Sequence, residues 1–433
     1  MPYQAGGRLP SERASKLGHL DVIHSDLVNK LIDQFEKPDI KPEDYAVAWT
    51  PFSMDQKPLR LIFSVDGSIQ MVRSDTQPFR EVAFVKTALL RLDRHGMEKV
   101  DKEDPHPMAL RDILAESAIY HATVFPLKNI IIPGSNNYDS VRRIIFDSIQ
   151  DASLDGEPYK TLKWLAYEKW TGSTSTKSPK FFCPHCSQEI QGLPYDSDIA
   201  PCDYCKLDVY LSDVLGFHLE MDEDSAPESV ASAYMLIHET LMLFTGVRHF
   251  WDAKKFDVLQ DCLFIKDGPL TLRSQYSKLV NPIRRFFEHA KQKKINVNMI
   301  GQEKSGTFFD HLELIAKTAP ERSYFLPSNE YIRKEIQHAP ERSEQYGYRT
   351  NYGNKLFIKT DKHHQMSLCV PVGEYRDSKN IDDLIGIDRI LCTLPQLISH
   401  RYEGALLPIQ LVNGIASLSS YPSAAVLKVF ADF

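Results

Sequence analysis

Leu61-Ile62-Phe63-Ser64-Val65-Asp66-Gly67-Ser68 is an apolar run of strand-forming residues that ends in a carboxylate followed by glycine. The same idea returns at Cys262-Leu263-Phe264-Ile265-Lys266-Asp267-Gly268-Pro269-Leu270. Glycine permits the sharp backbone turn that strand formers resist, so each acid is expected where a buried strand ends and a turn begins. Two such ends side by side would make a metal site. Outward from the first run, strand formers continue through Ile69 and Val72 and return at Val82-Ala83-Phe84-Val85, the pattern of a β-meander. Outward from the second, helical spacing over 274–293 is followed by the strand-like Ile295-Asn296-Val297-Asn298-Met299-Ile300-Gly301. Helix then strand after an acidic strand is the α/β alternation of a mixed sheet.

The chain has 433 residues, 42% hydrophobic and 25% charged, enough for two or three domains with a large core. A formal charge of -7 excludes a protein coated in positive charge, so any nucleic-acid contact must come from a local basic groove. No apolar run reaches bilayer-spanning length and the N-terminus lacks the apolar core of a signal peptide, so a cytoplasmic protein with no membrane contact is expected.

Apolar residues at 20, 23, 27, 28, 31, 32 and 35 follow amphipathic-helix spacing, with core packing as the expected role. Helical spacing is also read over 107–125, 139–149, 159–170, 381–398 and 407–418, and strands at 355–359 and 366–371. Ser225 with Glu228 matches a capping box opening a long helix through Val230, Tyr234, Ile237, Leu241 and Phe244, with Glu239 on or near its flank. Lys304 follows the 295–301 strand on a turn. Residues 320–354 interleave Tyr and Phe with Arg and Lys, which suits stacking and phosphate contact on single strands as well as a variable surface loop.

The composition changes at the linker-like Thr171-Gly172-Ser173-Thr174-Ser175-Thr176-Lys177-Ser178-Pro179. Behind it stand Cys183-Pro184-His185-Cys186 and, after a spacer of 15 residues, Cys202-Asp203-Tyr204-Cys205. Two C-x-x-C knuckles at this spacing predict a tetrahedral zinc cage, with His185 as an alternative ligand. Four thiolates leave no open coordination position, so this Zn2+ is expected to be structural.

The two acid-glycine signatures, the glutamate-bearing helix before the second, the strand leading to lysine after it and the proline-led final helix resemble the NurA nuclease family. The cysteine segment between the halves looks like an insertion. The resemblance implies an RNase H-like mixed sheet flanked by helices, divided as 1–172 and 217–433 around an inserted four-cysteine zinc ribbon at 173–216. It further implies a metal-dependent deoxyribonuclease that uses two Mn2+ or Mg2+ ions beside a HerA-type hexameric ATPase, as a homodimer, in DNA end processing, DNA repair or antiviral defence. Asp66 and Asp267 match the family's acids, Glu239 its helix glutamate with Glu228 as competitor, and Asn413 stands where histidine is usual. An asparagine can offer a carbonyl oxygen to a hard cation but cannot act as a general acid.

Paired carboxylates suit phosphodiester hydrolysis because they can hold two cations, one generating hydroxide and one stabilising the leaving oxygen. Asp66 is expected to bridge both ions, with Glu239 and Asp267 each completing one side. Lys304, Arg284 and Arg285 are expected to contact phosphates, which position a strand without reading its sequence. Two other classes fit the same sequence: a weak or inactive nuclease-fold adaptor for an ATPase, and a binding module whose working part is the ribbon.

Overall fold

A computed structural model describes residues 22–35, 47–97, 117–221, 228–341, 343–399, 405–418 and 422–433. The chain divides into two compact units, Met1–Ala46 and Val47–Phe433. In the first, helix α1 (Asp26–Gln34) starts at Ser25, whose hydroxyl accepts a hydrogen bond from the Val28 N–H at 3.4 Å. The expected core packing of this segment is not found: Val22, Ile23, Leu27, Leu31, Ile32 and Phe35 are all exposed, and no residue of the helix is buried.

The second unit is built on a nine-stranded mixed sheet. Its strands are β1 (Thr50–Pro51), β2 (Leu61–Arg73), β3 (Glu81–Asp93), β4 (Ala118–Lys128), β9 (Cys262–Asp267), β10 (Asn298–Glu303), β11 (Ser323–Phe325), β12 (Asn354–Lys359) and β13 (Gln365–Val370). The spatial order is β1-β11-β12-β13-β10-β9-β2-β3-β4. β2, β9 and β10 are parallel neighbours, and the flanking pairs are antiparallel. The remaining strands, β5 (Phe181–Phe182), β6 (Glu189–Ile190), β7 (Ile199–Pro201) and β8 (Asp208–Tyr210), form two hairpins apart from this sheet.

Alternating side chains give the sheet two apolar faces. One face, with Phe63, Val65 and Phe264, packs under α2 (Asn137–Ile149), α3 (Glu157–Ala166), α4 (Glu228–Asp252) and α5 (Val280–Gln292). The other, with Ile62, Ile265 and Ile300, packs under α7 (Ile387–Leu397) and α8 (Leu407–Ala416). Two shorter helices are α6 (Thr307–Ile315) and α9 (Ser423–Phe430). The result is a mixed sheet flanked by helices, as expected.

Two local readings are corrected. β2 does not stop at Asp66 but runs to Arg73, paired with β3 throughout; what ends there is its pairing with β9. The helix expected over 107–125 is a strand from Ala118 onward, because its β-branched and aromatic residues pair with β3, while 107–116 lie outside the described residues. The capping box cannot be placed, since Ser225 lies outside them too. α4 is also long and apolar enough to cross a membrane, which the sequence reading missed, yet 78% of its most apolar window is buried inside the protein.

Candidate functional site

The parallel pairing of β2 with β9 ends at Val65 opposite Lys266, so Asp66 and Asp267 are the next residues on neighbouring strands. Strands in a sheet lie about 4.8 Å apart, which places the two acids side by side. Which way they point follows from their neighbours. Ser64 Oγ donates to the Pro408 carbonyl at 2.9 Å, Asn413 Nδ2 donates to Asp66 Oδ2 at 2.7 Å, and the Leu418 N–H donates to Ser68 Oγ at 3.1 Å. Every second residue of β2 thus meets every fifth residue of the α8 segment. The match is geometric: five helical residues rise about 7.5 Å and two strand residues about 6.6 Å. On β9, Phe264 and Lys266 face α4 while Ile265 faces the α7 and α8 layer, so alternation puts Asp267 on Asp66's side.

Asp66 is 6% exposed, and its Oδ1 accepts the Gly67 N–H at 2.8 Å. Burial raises its carboxyl above the ordinary aspartate range, and the Asp267 charge adds to this; the Asn413 amide, the Gly67 N–H and Lys304 pull the other way. Lys304 Nζ donates to Asp267 Oδ2 at 2.7 Å, at the half-exposed mouth of the pair. Gly268, at φ 89, turns the chain out of β9 in a conformation that glycine adopts without strain.

Glu239 enters from the other face. Its side chain is buried and Oε2 accepts from Lys266 Nζ at 2.6 Å. Burial pushes the Glu239 carboxyl up, Lys266 opposes this, and the Asp66 and Asp267 charges add to the rise; Lys266 itself is held charged by Glu239 against the cost of its burial. The expected flank position is therefore replaced by a closed ion pair in the core. Gly67 is the reason the carboxylate comes so near the strand: a Cβ there would lie 2.5 Å from Met235 Cγ and 2.7 Å from Glu239 Oε1. The glycine serves close approach and not the turn expected of it. Lys266 is the functional neighbour that sequence reasoning passed over, and its signal was a cation in the middle of an apolar strand, which must be paired if buried.

The arginines expected beside the acids sit elsewhere. Arg284, on α5 in the other layer, donates to the carbonyls of Tyr348 at 2.9 Å, Gly347 at 2.9 Å and Asn351 at 2.8 Å, so its guanidinium fastens a loop. Arg285 is paired with Glu168 at 2.6 Å. Glu228, the alternative to Glu239, is an exposed residue at the first turn of α4.

A second cluster is formed by Cys183, Cys186, Cys202 and Cys205, whose sulfurs all lie within 4.8 Å of one another. Among the described residues it is the set of this kind that a metal ion could join; the three carboxylates, drawn to Asn413, Lys266 and Lys304, do not form one. Cys183 and Cys205, like Cys186 and Cys202, are 3.8 Å apart. A tetrahedron with metal–sulfur bonds of about 2.3 Å has edges of about 3.8 Å, so the cage fits a metal such as zinc. The His185 and Tyr204 N–H groups each donate to the first cysteine of their knuckle at 3.4 Å. His185 is not a ligand: its Nε2 donates to the Asp208 carbonyl at 3.0 Å. The hairpins share the core under α2 and α3, and Tyr138 and Arg142 of α2 tie them down through the Pro184 carbonyl and Asp213.

Compared with known proteins, the chain matches no family model and is similar to no curated sequence.

Proposed function

We propose that this protein is a metal-dependent deoxyribonuclease of the NurA kind, with Asp66 and Asp267 as the acids that hold a divalent cation. The observation that carries the reading is their placement: two carboxylates on adjacent parallel strands, on one face, with a single lysine, the Asn413 amide and the Gly67 N–H as their close partners among the described residues. Burial first and the Asp267 charge second raise the Asp66 carboxyl, and a hard cation with oxygen ligands would relieve the repulsion between the two acids. The strand order β4-β3-β2-β9-β10, with β3 alone running against the rest, supports an RNase H-like core.

A bound Mg2+ or Mn2+ would supply Lewis acidity toward a phosphate and lower the pKa of a water. Asp66 and Asp267 would hold it, and Asn413 fixes the Asp66 rotamer through its amide while transferring no proton itself. Lys304, about a third exposed beside Asp267, would contact a phosphate oxygen at the mouth of the pair. Glu239 joins a second cation only if it leaves Lys266, so one ion is the minimal site. A HerA-type ATPase partner and a homodimer belong to this reading by resemblance alone. So does zinc as the metal of the cysteine cage; substituting Cys183 and Cys202 by serine should abolish it in elemental analysis.

The test is incubation of the purified protein with linear and single-stranded DNA and Mn2+, with and without a HerA-type ATPase. Wild type should release products with 5′-phosphate ends, and Asp66→Asn/Asp267→Asn should not. Equal behaviour of the two proteins ends the nuclease reading and leaves the adaptor reading, which the asparagine at position 413 favours.

A further inference from the structure

A cleft of about 680 Å³ opens where the cysteine hairpins meet the start of α5 and the loop that Arg284 fastens. Its walls carry Lys180, Lys278, Arg285, Arg349 and Tyr348, with Glu189 and Glu374 also on the lining. The cations are not equivalent. Arg284 spends its guanidinium on loop carbonyls, Arg285 holds Glu168, and Arg349 holds Glu344 at 2.8 Å. Among the described residues neither Lys180 nor Lys278 forms an ion pair. The loop is fastened: a buried arginine donates to the Gly347, Tyr348 and Asn351 carbonyls, and its guanidinium lies 5.0 Å from the Tyr375 ring. Tyr375 in turn meets the Tyr348 ring edge-on, with centroids 5.2 Å apart and planes at 87°. Tyr348 nevertheless stays 52% exposed. An exposed aromatic ring braced at one edge by a neighbour offers a face for stacking.

We propose that this cleft binds single-stranded nucleic acid, with Lys180 and Lys278 meeting phosphates and Tyr348 stacking on a base. A single strand is favoured over a duplex because only an unstacked base offers its face to a ring. Nucleic acid is favoured over an acidic peptide because carboxylates are best held by bidentate arginine, and the arginines here are already engaged, whereas lysine meets phosphate as a point charge. The cysteine cage contributes the wall that carries Lys180 and Glu189, which gives the ribbon a part in binding beyond folding. The site does not depend on the nuclease reading.

The test uses the full chain, metal-loaded at its cysteines, with a labelled oligothymidine, no added divalent cation and fluorescence anisotropy as the readout. Tyr348→Ala should weaken binding about fivefold or more, and Tyr348→Phe, which keeps the ring, should bind as wild type. Lys180→Ala/Lys278→Ala should weaken binding and lower the slope of log Kd against log salt by about 1.4, the value for two phosphate contacts on a single strand. No binding by wild type, unchanged binding by Tyr348→Ala and the lysine variant, or displacement of the oligonucleotide by polyglutamate at equal charge would each overturn the proposal.

Discussion

The sheet separates two charge arrangements around the last pairing of β2 with β9. On the α4 face, Glu239 and Lys266 bond at 2.6 Å with side chains 3% and 1% exposed, a cation and an anion that answer each other and exclude water. On the α8 face, Asp66 takes a neutral amide from Asn413 and Asp267 takes Lys304, which is 32% exposed. The first arrangement is complete in itself; the second carries one more anion than cation and opens to solvent. The closed pair ties α4 to β9, and the cation proposed above falls to the unbalanced pair.

Removing one partner of the closed pair should have the largest effect on stability. Lys266→Met leaves the Glu239 carboxyl buried without its cation, and breaking a buried pair this way costs about 3–5 kcal/mol. The urea midpoint should fall accordingly with an unchanged m-value. Glu239→Gln added to Lys266→Met should recover most of the loss, because no charge is then stranded. A cost below about 1 kcal/mol for Lys266→Met would mean that the pair is solvated and not closed, since exposed pairs contribute that little.

Gly67→Ala probes how tightly Glu239 is held against the strand, with a smaller effect. The new Cβ meets Met235 Cγ and the Glu239 carboxylate at 2.5 and 2.7 Å, so both must shift. Overpacking of this kind costs about 1–3 kcal/mol. If the shift moves Glu239 off Lys266, a second change at Lys266 should add less than the two single costs, as coupled neighbours do.

Much of this was legible in the chain. The acid-bearing strands, the β2 and β3 meander, the α/β alternation and the cysteine knuckles each carry a local pattern that later contacts agree with. What was not legible depends on facing. Period-two alternation says that Asp66 and Val65 point opposite ways, but only the docking of α4 and α8 decides which layer each one meets, and that separated Glu239 from the aspartates. Gly67 looked like a turn because glycine breaks strands by propensity, and the thirteen paired positions of β2 and β3 override that preference. Arg284 looked like a phosphate contact because an arginine on an amphipathic helix carries no sign of the loop carbonyls that arrive from 63 to 67 residues away.

The smallest expected effect is a dependence on pH, and it belongs to the open arrangement. The folded state holds the Asp66 carboxyl above its ordinary range, chiefly through burial and then through Asp267, so between the unfolded and folded values the native protein binds more protons than the unfolded chain. Stability therefore falls as pH rises through that window and is restored on acidification, opposite in sign to a salt-bridged aspartate. Asp66→Asn should flatten this part of the profile, measured as thermal midpoints from acidic to neutral pH. Asn413→Ala should extend it upward, because the amide that favours the charged Asp66 is gone. Mn2+ added at neutral pH should raise the midpoint of wild type by mass action and leave Asp66→Asn/Asp267→Asn unmoved. A midpoint that ignores both pH in this range and Mn2+ would show that Asp66 is already satisfied by Asn413 and Lys304, and the two faces would then differ in exposure but not in purpose.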